Sequence, residues 1–144
     1  MQRKESWFAM VSQILLVVDD RSQMAQIRKA ALERLGYAVR TACNSYAALK
    51  VLQEEIVSAV LMDYKGEGMD AEAVAFHIRQ GFPQQPIVLL SAYSGMPERI
   101  LWLVDEYVMR STPPEALGQV IERVAQKYRP ASPTAPKARP AAAA

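Results

Sequence analysis

Five short, continuous apolar segments alternate with helical patterns along the chain, and this alternation constrains the fold more than any other feature. The segments cover residues 13–19, 37–42, 57–62, 86–91 and 106–109. Short runs of this kind are typical of strands that are buried on both faces. Strict alternation with helices predicts an α/β fold in which both faces of a five-stranded parallel sheet are covered. We therefore expect one domain with a doubly wound (βα)5 arrangement.

Helical patterns fill the intervals between the predicted strands. They cover residues 22–35, 45–55, 71–80, a short stretch within 96–104, and 113–128. We expect Asp20 or Ser22 to cap the first helix, Ser45 the second and Asp70 the third. Apolar residues at steps of three and four predict the buried face of the first helix. That predicted face contains Met24, Ile27, Ala31 and Leu35.

Composition and charge exclude several classes of protein. With 51% hydrophobic and 22% charged residues, the chain has an ordinary globular composition. No stretch approaches the length of a membrane-spanning helix, so we expect a cytoplasmic protein without a membrane partner. Residues 127–144 contain four positive charges and no acidic residue, so the net charge of +2 becomes −2 for residues 1–126. Because the basic residues lie in a tail rather than on a folded face, we expect no nucleic-acid partner.

The same features divide the chain into three parts. Residues 13–128 contain all the periodic segments and form the predicted domain. Residues 1–12 are interpreted as an N-terminal extension, with Met1 or Met10 as the start. Residues 129–144 are rich in Pro and Ala without periodicity, which predicts a disordered basic tail.

Polar side chains stand where the predicted strands end. Asp19 and Asp20 follow the first strand, Asp63 the third, Ser91 ends the fourth, and Arg110 follows the fifth. Ligand sites of open α/β sheets lie at this edge, where the strand order reverses. Converging carboxylates repel one another unless a cation lies among them, and oxygen ligands suit Mg²⁺. Asp63 would then be an ionised nucleophile, whereas the alternative is that these residues only cap helices and form turns.

Four segments in this order resemble the receiver domains of two-component response regulators. They are "ILLVVDD", "AVLMD", "PIVLLSA" and "DEYVM", within a region of about residues 13–128. The resemblance implies a flavodoxin-like fold and transfer of a phosphoryl group from a phosphohistidine of a sensor kinase to Asp63. It also implies that Asp20 ligates Mg²⁺ directly, Asp19 through water, and Asp63 and the carbonyl of Lys65 directly.

The resemblance assigns roles to further residues. Ser91 would hydrogen-bond the phosphoryl oxygens, and Arg110 would face the phosphoryl charge. Tyr107 would be the aromatic side chain whose rotation reports the phosphorylated state. Ala92 would keep the site accessible. Partners would bind the face formed by the fourth helix, the fifth strand and the last helix.

The sequence departs from the family pattern at three places. The family has a lysine followed by a cis proline where this chain has Arg110 and Ser111, and we expect a trans bond before Ser111. Glu67 and Ala71 replace the usual proline and glycine of the loop after Asp63. The interval 92–109 is short, which predicts a truncated or irregular fourth helix.

These features leave two functions open. The first is a stand-alone receiver, phosphorylated on Asp63 by a histidine kinase or phosphotransfer protein, that signals to an unknown downstream protein. The second is an atypical receiver that binds partners without phosphorylation. A phosphatase would need an acid at Lys65, so we expect a signalling module rather than an enzyme. Homodimer formation is left open.

The remaining candidates have structural interpretations. His77 is interpreted as a surface or packing residue, Cys43 as a buried apolar residue, and Trp102 and Leu103 as core residues. One cysteine excludes an intrachain disulfide, and no Cys/His cluster suggests zinc.

Overall fold

The computed structural model describes residues 13–64, 69–92 and 95–127 of the chain. The predicted extension, the predicted tail and Tyr128 lie outside these residues, as do Lys65 and Glu67. Within them no helix has the length and apolar character that would be needed to cross a membrane.

Ten elements alternate as the sequence predicts. The strands are β1 (Ile14–Val18), β2 (Ala38–Ala42), β3 (Ala59–Tyr64), β4 (Ile87–Ser91) and β5 (Glu106–Met109). The helices are α1 (Ser22–Glu33), α2 (Ser45–Glu54), α3 (Ala71–Gly81), α4 (Glu98–Leu101) and α5 (Pro114–Lys127). All strand pairs are parallel, in the order β2-β1-β3-β4-β5. The doubly wound, five-stranded fold is confirmed, and the strand order reverses between β1 and β3.

Each face of the sheet has its own hydrophobic core because successive strand residues point to opposite sides. Leu16, Val18, Val60 and Met62 pack with residues of α2, α3 and α4. Leu15, Val17 and Leu61 pack on the other face with residues of α1 and α5. The sheet is therefore covered on both sides, which explains why its central strands lack polar residues until they end.

Several local predictions are corrected. The third strand includes Asp63 and Tyr64, because both continue the pairing with β4 beyond the apolar run. Helix α1 buries Ala25 and Leu32, whereas Ile27 is 57% exposed. Leu35 of the predicted face does pack against the core, so the predicted face only partly coincides with the side that contacts the sheet.

The helix caps also differ from the predictions. Asp70 caps α3 as predicted, since its Oδ1 accepts the Ala73 N–H at 3.0 Å. Helix α2 is capped by Asn44, whose Oδ1 accepts the Ala47 N–H at 2.8 Å, and Ser45 is its first residue. Helix α1 begins after Arg21 without a side-chain cap. The acid Asp20 instead accepts the N–H of Met69 at 2.9 Å.

Among the remaining predictions, some are confirmed and two are wrong. Helix α4 has only four residues, as its short interval predicted, and the peptide bonds before Ser111 and Pro113 are trans. Trp102 is 79% exposed, so it is not a core residue, although Leu103 packs against the core. Cys43 is exposed rather than buried, because it lies beyond the end of β2.

Candidate functional site

Asp19 and Asp63 lie side by side at the carboxyl edge of the two central strands. The register pairs Val18 with Met62, so one further residue places Asp19 opposite Asp63. Because strand residues alternate between faces, both acids fall on the side of Val17 and Leu61, which faces α1 and α5. Both are buried, at 7% and 4% exposed. Two carboxylates at this spacing and depth need cationic partners, because burial and mutual repulsion both oppose ionisation.

Arg110 is the principal partner of Asp63. Its Nε donates to Oδ1 at 2.9 Å and its Nη2 donates to Oδ2 at 3.1 Å, which is a bidentate pair. The same Nη2 reaches the carbonyl of Tyr64 at 3.1 Å. The backbone of Arg110 is also held in place, because its N–H donates to the carbonyl of Ser91 at 2.7 Å. The planar guanidinium thus uses the fork geometry that a lysine ammonium lacks.

Arg21 is a second cation at the same carboxylates. Its Nη2 lies 3.3 Å from Asp63 Oδ2, and its Nε lies 3.6 Å from Asp19 Oδ1. The backbone N–H of Arg21 also donates to Asp19 Oδ1 at 2.9 Å. Asp63 is therefore held between two guanidinium groups, and Arg21 bridges the two acids.

Arg28 on α1 adds a third positive charge close by. Burial lowers the pKa of Arg28, the charges of Asp63 and Asp19 raise it, and the charge of Arg110 lowers it further. An arginine keeps its proton in all these circumstances. The site thus combines buried acids with three guanidinium groups, and it can hold an anionic phosphoryl group by charge-assisted hydrogen bonds.

The other predicted site residues lie on or just beyond β4 and β5, in different surroundings. Ser91 is fully buried at the end of β4, in register with Tyr64. Ala92 beside it is exposed. Tyr107 is half-buried and packs against the core of the α2 and α3 face. Lys65 cannot be placed, because it lies outside the described residues.

The carboxylates fit Mg²⁺ by their chemistry and less well by their arrangement. Oxygen donors on two adjacent strands are the ligands Mg²⁺ prefers. Among the described residues, however, no three acidic, His or Cys side chains are grouped closely enough to hold a metal ion. The Asp63 oxygens are hydrogen-bonded by arginines, and Asp20 Oδ2 accepts from Met69. Binding would require these side chains to rearrange.

Sequence reasoning missed Arg21 and Arg28. Arg21 follows directly on the Asp19-Asp20 pair, so its place at the edge where the strand order reverses was a usable signal. No such signal marked Arg28, because a single arginine in an amphipathic helix is usually solvated.

Comparisons with known proteins identify one matching family. The sequence model of the family described as "Response regulator receiver domain" matches residues 15–121. A probable transcriptional regulator ycf27 of Pyropia yezoensis is 32% identical over 116 residues, covering 78% of this chain and 47% of that protein. A putative NtrX-like response regulator of Rickettsia bellii is 35% identical over 81 residues, covering 55% of this chain and 17% of that protein. The chain thus spans less than half the length of these relatives.

Solved structures are similar over most of the chain. The response regulator TrrA of Thermotoga maritima, in complex with Mg(2+)-BeF, has a TM-score of 0.68 and 31% identity. The alignment covers 78% of this chain and 98% of that one. The N-terminal domain of a response regulator/sensory box/GGDEF protein of Carboxydothermus hydrogenoformans has a TM-score of 0.69 and 30% identity. This alignment covers 81% of this chain and 96% of that one.

Proposed function

Because the chain belongs to the response regulator receiver family, we propose that Asp63 accepts a phosphoryl group from the phosphohistidine of a sensor kinase or phosphotransfer protein. The observation that supports this role is the position of Asp63. It is a nearly buried carboxylate at the carboxyl end of a central strand, next to a bidentate arginine. A buried carboxylate beside an arginine is suited to phosphoryl transfer, whereas a residue that only forms a turn or caps a helix needs neither burial nor an arginine partner.

The proposed step is an in-line transfer between two side chains. An Asp63 oxygen forms a bond to phosphorus while the phosphorus–nitrogen bond of the donor breaks, and the electron pair of that bond stays on the imidazole. Arg110 already donates two hydrogen bonds to the carboxylate, and the same N–H groups can stabilise the charge that moves onto the phosphoryl oxygens. Ser91 would then hydrogen-bond a phosphoryl oxygen.

We propose Mg²⁺ as the cofactor, held by Asp19, Asp20, Asp63 and the carbonyl of Lys65. When bound, the ion would neutralise charge between the carboxylates and the phosphoryl oxygens. TrrA, which is 31% identical to this chain, was solved with Mg(2+)-BeF. That similarity and the oxygen chemistry of the donors support the proposal.

Signalling would follow through protein–protein contacts on the side of α4, β5 and α5. Trp102 after α4 and Met109 at the end of β5 are both exposed apolar side chains. Exposed aromatic residues are common anchors in protein interfaces. Tyr107 lies on β5 between them in sequence and is the proposed switch aromatic. We propose a cytoplasmic receiver that has no nucleic-acid or membrane partner; a homodimer is a second form to test.

An alternative function is favoured by one observation. Asp63 is paired with both Arg110 and Arg21, so its charge is balanced in the unphosphorylated protein without a metal ion. A receiver stabilised in this way could bind partners as a phosphorylation-independent module.

Intact-mass measurement distinguishes the two functions. The protein is incubated with acetyl phosphate and Mg²⁺, beside Asp63→Asn as the control. We expect the wild-type protein, and not the variant, to gain the mass of one phosphoryl group. If wild type and Arg110→Lys both stay unmodified at every Mg²⁺ concentration, the phosphorylation-independent module is the correct function. Labelling of Arg110→Lys alone would identify the arginine as the block.

A further inference from the structure

Arg21 occupies the space between the two carboxylates that the proposed Mg²⁺ ion would share. Its guanidinium reaches Asp63 Oδ2 at 3.3 Å and Asp19 Oδ1 at 3.6 Å. The two acids are almost fully buried, whereas the Arg21 side chain is 43% exposed. A single side chain from the mouth of the site therefore neutralises part of the charge that would otherwise attract a divalent cation.

The backbone keeps Arg21 at this position. Arg21 is the last residue before α1 and has an extended backbone conformation. Its carbonyl accepts the N–H of Ala25 at 3.0 Å. Its own N–H donates to Asp19 at 2.9 Å. The residue is thus tied to Asp19 beyond β1 on one side and to the first turn of α1 on the other, and its side chain is directed across the strand ends.

We infer that Arg21 is an internal competitor of the divalent cation and sets the Mg²⁺ affinity of the domain. This inference rests on the proposed Mg²⁺ site at Asp19 and Asp63. A guanidinium and a metal ion need the same carboxylate oxygens and repel each other, so Mg²⁺ binds only when the Arg21 side chain leaves. Arg21 can leave because it is half-exposed and can enter water.

Arg110 is less suited to this exchange. Its side chain is 26% exposed, and it makes two hydrogen bonds to Asp63 and one to the carbonyl of Tyr64. It therefore stays with the acceptor carboxylate while Arg21 moves. The two arginines have separate roles: Arg110 contacts the acceptor, and Arg21 controls access of the cation.

Isothermal titration with MgCl₂ tests the inference on the full chain without any phosphodonor. The variants are Arg21→Gln, Arg21→Lys and Arg123→Gln. The last removes one positive charge from an exposed ion pair with Glu106, away from the strand ends that hold the acids. We expect Arg21→Gln to bind Mg²⁺ about five- to tenfold more tightly than wild type, Arg21→Lys to lie between them, and Arg123→Gln to match wild type.

Thermal unfolding of each variant shows that it is folded before titration. Equal affinities for wild type and Arg21→Gln would overturn the inference, and so would the lack of measurable Mg²⁺ binding by Arg21→Gln. An equal gain in Arg123→Gln would also overturn it, because the effect would then come from net charge alone. A failure of the proposed phosphorylation would appear separately, as an unchanged mass after acetyl phosphate treatment.

Discussion

At the scale of single residues, the pairing of the Asp63 carboxylate determines the properties of the site. An acid that is 4% exposed is costly unless it is paired, and its pairing with Arg110 is bidentate. Lysine at this position would supply charge without two parallel hydrogen bonds. The replacement of the family's lysine is therefore matched by a different geometry around the acceptor.

Substitution of Arg110 tests how far the stability of the unphosphorylated protein depends on its pairing with Asp63. Arg110→Ala removes both hydrogen bonds of the bidentate pair from the buried Asp63 carboxylate, so we expect the free energy of unfolding to fall by about 2–3 kcal/mol. Urea denaturation in metal-free buffer measures this loss. The exposed pair of Arg123 with Glu106 provides the control, and Arg123→Ala should cost less than about 1 kcal/mol. Equal losses in the two variants would contradict the structural importance of the buried pair.

At the scale of elements, the cap of α2 lies one position before the residue that the pattern suggested. Asn44 rather than Ser45 accepts a backbone N–H at the start of α2. Both residue types are good caps, so the sequence alone did not separate them. The backbone does, because Asn44 is extended and Ser45 is already helical.

A pair of alanine substitutions tests this assignment. Asn44→Ala leaves an N–H of the first turn without its acceptor, so we expect it to lower the free energy of unfolding by about 1 kcal/mol. Ser45→Ala removes only the contact of its hydroxyl with the exposed His77, at 3.2 Å, and should cost less than about 0.5 kcal/mol. Chemical denaturation gives both values. The reverse order would show that Ser45 is the cap.

At the scale of the whole molecule, one contact links the start of the edge strand β2 to the last helix. The hydroxyl of Tyr37 donates to Glu122 of α5 at 2.7 Å, across 85 residues of sequence. Burial, followed by the hydrogen bond to Glu122 and its negative charge, raises the pKa of Tyr37 well above the ordinary value of 10.0. The folded protein therefore keeps this proton at a pH where the unfolded chain loses it.

This linkage predicts how stability depends on alkaline pH. The contribution is complete below about pH 10 and is lost as the pH rises above that value, because the unfolded chain then binds fewer protons than the folded one. We expect Tyr37→Phe to be less stable than wild type by about 1 kcal/mol at neutral pH and to lose stability less steeply above pH 10. Urea denaturation across this range measures both effects. Tyr46→Phe, at an exposed position, is the control and should follow wild type; parallel curves for wild type and Tyr37→Phe would contradict the linkage.

The sequence by itself determined the architecture and the place of the site. Apolar periodicity is a local property, so the five strands, the five helices and the short α4 could be read from it, and parallel strands bring their carboxyl ends to one edge. That is why the sequence alone assigns Asp19, Asp63, Ser91 and Arg110 to one region. The end of β3 could not be assigned in this way, because Asp63 and Tyr64 are strand residues only through their pairing with β4.

Only the tertiary structure decided which charges meet. The pairing of Arg21 and Arg110 with Asp63 depends on the strand order and on side-chain reach, which the sequence separations of 42 and 47 residues do not specify. The exposure of Ile27 and Trp102 likewise depends on how the helices are rotated against the sheet. The local pattern determines whether a segment is a helix or a strand. Packing across the sheet determines which face of that element is exposed and which oppositely charged residue it contacts.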